Sequence, residues 1–249
     1  PVMSEPQEDS FISHLVELRD RLLRAVVAVV AIFVCLMPWA GDIYDILAHP
    51  MMSALPEGTK MIATGVVTPF FVPMKVTLLV AFVIALPFVL YQAWCFIAPG
   101  LYAHEKRLGL PLVVGSTVLF LAGMAFCYFF VFGTVFKFIA QFAPKSITPA
   151  PDIEQYLAFV MSMFLAFGIT FEVPVIVIVL VKLGIVDVAK LKEARPYVIV
   201  GAFVIAAVVT PPDVVSQLML AVPMCLLYEL GIFLSRFVTK TRADEAVSS

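Results

Sequence analysis

Long apolar runs separated by short polar segments organise this chain. A membrane-spanning helix takes about 20 consecutive apolar residues. Apolar runs of that order occupy residues 22–40, with Arg24 at its start, and the uncharged stretches 76–99 and 108–136, and a fourth, 156–181, is interrupted only by Glu172. Residues 196–212 form a fifth uncharged run of only 17 positions, about 25 Å of helix at 1.5 Å per residue. A sixth, 214–235, is apolar apart from Glu229 near its end. Between the last two, Thr210-Pro211-Pro212-Asp213 is a tight turn signal. The pattern predicts an all-α, polytopic membrane protein, one domain over residues 1–249 with six transmembrane helices. Its last two spans form a hairpin short enough to thin the bilayer locally.

The polar segment before the first run has a helical pattern of its own. Phe11, Leu15, Leu18 and Leu22 share one face, while Glu17, Arg19, Asp20, Arg21 and Arg24 fall elsewhere. This predicts an interfacial amphipathic helix leading into the first span, and a run so preceded reads as a span rather than a cleavable signal peptide. Two longer loops, 41–72 and 137–155, are rich in Pro and turn formers and are expected to form ordered caps with short helices. No internal repeat is evident, which weakens a transporter reading.

Composition agrees with the pattern. The chain is 62% hydrophobic and 14% charged, with a mean hydropathy of +1.05, against about 25% charged in soluble domains. The net charge of −2 gives no ground for a nucleic-acid partner. Placement says more than the sum. With six spans, twelve of the 16 Lys and Arg residues fall on the side of the termini, and only Lys60, Lys75, Lys137 and Lys145 lie opposite. The positive-inside rule then places both termini in the cytoplasm.

Candidate chemistry is sparse. Glu172 lies about 24 Å along the helix from Tyr156 and about 15 Å from Lys182, where a charge costs at least a few kcal/mol. With Gly168, Thr170 and Pro174 it marks a distorted polar stretch. It is either a carboxyl bonded to a neighbouring helix or a functional site facing a cavity or partner helix. Thr210 and Gln217 are its candidate polar companions, each equally readable as helix glue. Glu17 can simply pair with Arg21 one turn on, and Glu105 can be a solvated loop charge among Lys106 and Arg107. Trp39 and Trp94, near span ends, fit an aromatic belt. The four cysteines, Cys35, Cys95, Cys127 and Cys225, lack ligand spacing and read as packing residues. No catalytic motif is present, and the histidines lie outside the spans. No enzyme activity, metal or cofactor is expected.

Several stretches, in order along nearly the whole chain, resemble the TatC family of the twin-arginine protein translocase. They are Ser13-His14-Leu15-Val16-Glu17-Leu18-Arg19-Asp20-Arg21-Leu22, Met61-Ile62-Ala63-Thr64 with Pro69-Phe70-Phe71, and Phe96-Ile97-Ala98-Pro99-Gly100-Leu101-Tyr102 with His104-Glu105. Phe171-Glu172-Val173-Pro174, Arg195-Pro196-Tyr197 and Thr210-Pro211-Pro212-Asp213 with Gln217 complete the set. The resemblance implies a concave, glove-like fold in the bacterial cytoplasmic (inner) membrane. It implies a receptor that binds the twin-arginine signal peptide of folded cargo and organises the single-span subunits TatA and TatB, with further copies of itself, for export driven by the proton motive force. Glu17 and Glu105 then map to the acids that bind the arginines, with Arg19 and Phe96 near that site and Pro50 at a sensitive position of the first outer loop. Glu172, Thr210 and Gln217 map to a docking patch for TatA and TatB. The alternative from the residues alone is a proton-coupled small-molecule transporter using Glu172.

Overall fold

The computed structural model describes residues 7–53, 61–97, 106–142, 150–210 and 213–248. Helix α1, Gln7–Leu36, carries the amphipathic segment and the first apolar run as one continuous rod. Pro38 sits in a tighter turn, Met37–Trp39, beyond which the chain continues as α2, Ala40–Met52. Next come α3, Thr68–Ile97, and α4, Lys106–Phe126. A π-helical turn, Cys127–Val131, joins α4 to α5, Phe132–Phe142. The last elements are α6, Ile153–Lys182, the short α7, Val188–Glu193, then α8, Arg195–Val209, and α9, Val214–Ser248. Five helical stretches are long and apolar enough to cross a membrane, and α8 is a shorter apolar helix. Its 15 residues reach about 23 Å, less than the hydrocarbon thickness of about 30 Å.

The spans pack as a row: α1 on α3, α3 on α4, α4 on α6, α6 on α9 and α9 on α8. Helix α6 is the hub, and the main core joins its Tyr156, Met163 and Phe167 to Phe132 and Phe136 of α5, Ala202 and Ala206 of α8, and Leu220 of α9. Small residues set the closest approaches. A Cβ on Gly123 of α4 would lie 2.5 Å from the Phe167 carbonyl oxygen, and one on Gly231 of α9 3.0 Å from the Pro174 Cα. At the open end of the row α1 presents apolar side chains outward, Val27 being 66% exposed, as a helix facing lipid or a partner must.

The cap expected opposite the N-terminal end is built by hydrogen bonds that hydropathy cannot foresee. Helix α2 is clamped by Tyr128, whose hydroxyl donates to the Ile46 carbonyl at 3.1 Å, and by Tyr156, donating to the Leu47 carbonyl at 2.9 Å. The two outer loops meet where the Ile62 amide donates to Pro151 and the Ile153 amide returns a bond to Ile62. This isolated parallel bridge is the only extended pairing among the described residues. Asp152 caps α6 by accepting from the Glu154 amide at 2.7 Å and the Gln155 amide at 3.3 Å. Its carboxyl is held below the usual range, first by the Thr64 hydroxyl and then by these amides. Lys75 donates to Glu154 at 3.0 Å, which accounts for α3 beginning eight residues before the uncharged run at 76: the lysine is paired at the outer end rather than exposed to lipid.

Candidate recognition and docking sites

The first site lies where α1 begins and α3 ends. An amphipathic helix must leave its polar face open to water, and Ser13, Val16, Glu17, Asp20, Arg21 and Arg24 line one shallow concavity there. Arg21 donates to a single oxygen of Glu17, Oε1, through Nε at 2.8 Å and Nη2 at 2.6 Å, while its Nη1 reaches Gln92 Oε1 of α3 at 3.4 Å. The local i,i+4 pairing is therefore present, and it is tied across to the neighbouring helix. Arg19, by contrast, is turned outward and donates to Asp20 Oδ1 at 3.0 and 2.8 Å. One turn before Glu17, the His14 ring stacks on Phe96 with centroids 4.4 Å apart. Glu17 and Phe96 are thus brought to the same end of the α1–α3 pair. Glu105 lies outside the described residues. Pro50 lies in the last turn of α2, with its side chain outside the described set.

Glu172 is 6% exposed, and neither carboxylate oxygen has a hydrogen-bond partner. Its helical neighbours Val175 and Val179 pack with Val113 of α4 on Trp94 of α3. Trp94 is not part of a lipid-facing belt: it is 4% exposed and its Nε1 donates to Ser116 Oγ at 2.8 Å. The indole lies near the span end, as the belt pattern requires, but its one donor finds a hydroxyl on α4, so packing wins over the interface. Trp39 is 57% exposed and fits the belt expectation. Ser116 also lies beside Glu172 without making a hydrogen bond to either of its oxygens, so indole, hydroxyl and carboxyl from three helices converge.

Thr210 and Gln217 belong elsewhere. Thr210 is buried and its hydroxyl donates to the Ala206 carbonyl of its own helix at 2.7 Å. Gln217 is half-buried in the first turn of α9, its amide donating to the Asp213 carbonyl at 3.2 Å. Asp213, the last residue of the turn signal, is the N-cap of α9: its Oδ1 accepts from the Ser216 amide at 2.7 Å. Glu229 also gains a task, accepting from Arg195 Nη2 at 2.7 Å and so fixing the start of α8 on α9. The carboxyl of α6 and the α8–α9 turn are two separate polar places. Three cysteines are at least partly buried in the packing as expected, while Cys35 is exposed.

The chain matches the family described as Sec-independent protein translocase protein (TatC) over residues 13–223. It belongs to the TatC family. Among similar proteins, TatC of Azotobacter chroococcum is 54% identical over 91% of this chain and 89% of its own length. TatC of Haemophilus influenzae is 51% identical over 98% and 95%, and that of Escherichia coli K12 is 50% identical over 94% and 91%. A crystal structure described as the twin-arginine translocase receptor TatC superposes with a TM-score of 0.80 at 40% identity, covering 91% of this chain and 99% of that one. Membership makes this chain a membrane component of the Sec-independent protein translocase and lends no support to the small-molecule transporter reading. The six apolar helices in their sequence order are the family's fold.

Proposed function

We propose that this chain is the receptor subunit of its translocase, binding consecutive arginines of a cargo signal peptide at the surface formed by the start of α1 and the end of α3. The observation that carries the reading is Glu17, which accepts two hydrogen bonds from a guanidinium and keeps Oε2 free of any described bond. A guanidinium stays charged and offers a planar fork of donors, which an ammonium cannot reproduce. Phe96, stacked on His14, and Arg19 border the site, and Glu105 supplies a second carboxylate from the following loop. Both termini lie in the cytoplasm, the membrane is the bacterial inner membrane, and the chain hydrolyses nothing itself.

TatA and TatB dock at polar points inside the spans, Glu172 on one hand and the Thr210 and Gln217 turn on the other, and Pro50 serves in the outer cap. Further copies of the chain join the receptor complex, and the proton motive force drives export. An unpartnered buried carboxyl supports the docking role, because a polar group on a partner helix would satisfy it. The receptor role is tested by photocrosslinking from probes beside Glu17 and Glu105 to an Arg-Arg signal peptide. Labelling should fall with a Lys-Lys peptide and with either Glu→Ala variant. Equal labelling in every case would sink the receptor assignment.

A further inference from the structure

The Glu17 carboxylate is not waiting empty for a ligand. Arg21 of the same helix already donates two hydrogen bonds to it, at 2.8 and 2.6 Å. An exposed i,i+4 pair in a helix is usually a weak, mobile contact. This one differs in two respects. The guanidinium is the more enclosed partner, its side chain 24% exposed against 41% for Glu17. Its remaining nitrogen is turned to Gln92 on α3, so the pair is held across a helix interface. The enclosed end therefore belongs to the guanidinium, and the carboxylate is the part presented to the concavity.

We propose that Arg21 is an internal stand-in for the cargo arginine, that Gln92 positions it, and that binding proceeds by exchange of one guanidinium for another at Glu17. The inference rests on the reading of Glu17 as an arginine-binding residue. It adds that the free receptor is held closed by its own side chain. A binding-competent state that is only fractionally populated lowers apparent affinity by that fraction, so Arg21 sets a floor below which a weak cationic segment does not bind. An incoming arginine restores to Glu17 the two donors that Arg21 withdraws, while the displaced Arg21 keeps Gln92 and turns its freed donors to water. An incoming lysine brings a single point charge and leaves the carboxylate less well satisfied than before.

The decisive variant is Arg21→Lys, which keeps the charge and removes the forked hold. Binding of a fluorescent Arg-Arg signal peptide to the full chain in nanodiscs should tighten by about two- to fivefold, the range set by loss of one partly exposed pair. Gln92→Leu, also charge-neutral, should shift affinity the same way by less. Arg24→Gln removes a charge from the same concavity and calibrates the purely electrostatic effect, which Arg21→Gln must exceed. Unchanged or weaker binding in Arg21→Lys overturns the proposal and makes Arg21 a support for Glu17. Equal tightening in Arg24→Gln and Arg21→Gln also overturns it. Glu17→Gln separates the two layers: if it binds the peptide as wild type does, the receptor reading itself fails, whereas loss of binding there with no gain in Arg21→Lys removes only the exchange. Size-exclusion profiles and thermal stability of each variant confirm that altered binding is not altered folding.

Discussion

Replacing Glu172 by leucine should make this protein more stable and less able to assemble. The side chain is 6% exposed and both oxygens lack a hydrogen-bond partner. A buried polar group left unsatisfied costs about 1–3 kcal/mol. Leucine has a similar volume, and apart from the Ser116 hydroxyl the nearby packing of Val175 and Val179 with Val113 and Trp94 is apolar. Removing the orphaned group should therefore recover about 1–3 kcal/mol, a factor of roughly 5 to 150 in the unfolding equilibrium. Titration with SDS in mixed micelles, followed by tryptophan fluorescence, measures that gain. In parallel, copurification with the single-span subunits should fall, because the group that a partner helix would satisfy is gone. Glu172→Gln keeps a polar head and should gain much less stability. The reasoning is refuted if Glu172→Leu loses 1 kcal/mol or more, since the carboxyl would then be bonded in the folded protein.

Three further perturbations test the fold around the sites. Gly123→Ala forces a Cβ to within 2.5 Å of the Phe167 carbonyl oxygen; overpacking against backbone should cost about 1–3 kcal/mol. Gly115→Ala on the same helix meets nothing within 4 Å and should be neutral or slightly stabilising, so equal effects in the same SDS titration would contradict the packing. Tyr156→Phe removes the bond to the Leu47 carbonyl and should cost about 1 kcal/mol, seen as faster amide exchange confined to α2. Asp152 has a folded pKa below its unfolded value, near 3.9, because Thr64 and the cap amides favour the carboxylate. Its contribution is present above that value and lost as pH falls through the lower folded one. Exchange at the Ile62 and Ile153 amides should accelerate across that acid window in wild type, and Thr64→Val should move the onset to higher pH.

Hydropathy made the spans legible because a bilayer demands the same thing of every residue in a stretch. The short α8 and its turn with α9 were read from an uncharged run closed by two prolines. The start of α3 was not, because Lys75 looked like a boundary until its pairing with Glu154 was visible. Trp94 shows the limit of reading a residue by its position along a helix: a tryptophan near a span end faces lipid or core depending on its neighbours, and only Ser116 on another helix decides. The clamp of α2 by Tyr128 and Tyr156 depends on backbone carbonyls far away in sequence, which no local pattern encodes. At the candidate site, the sequence offered two roles for Glu17, a local ion pair or an arginine-binding acid. The pair with Arg21 is present, and its tie to Gln92 gives the two roles a common mechanism. Glu172, Thr210 and Gln217, mapped to one docking patch by family resemblance, are bonded differently: the Glu172 carboxyl lies beside Ser116 of α4, while Thr210 bonds to Ala206 of α8.

The central claim is that a carboxylate at position 17 recognises the guanidinium of a cargo arginine. A double-mutant cycle in nanodiscs measures this directly, with wild type and Glu17→Gln on one side and Arg-Arg and Lys-Lys signal peptides on the other. The account predicts a coupling of about 1 kcal/mol, the net worth of the forked hydrogen bonds that only arginine makes. A coupling within about 0.3 kcal/mol of zero, the scatter expected of independent sites, would contradict it.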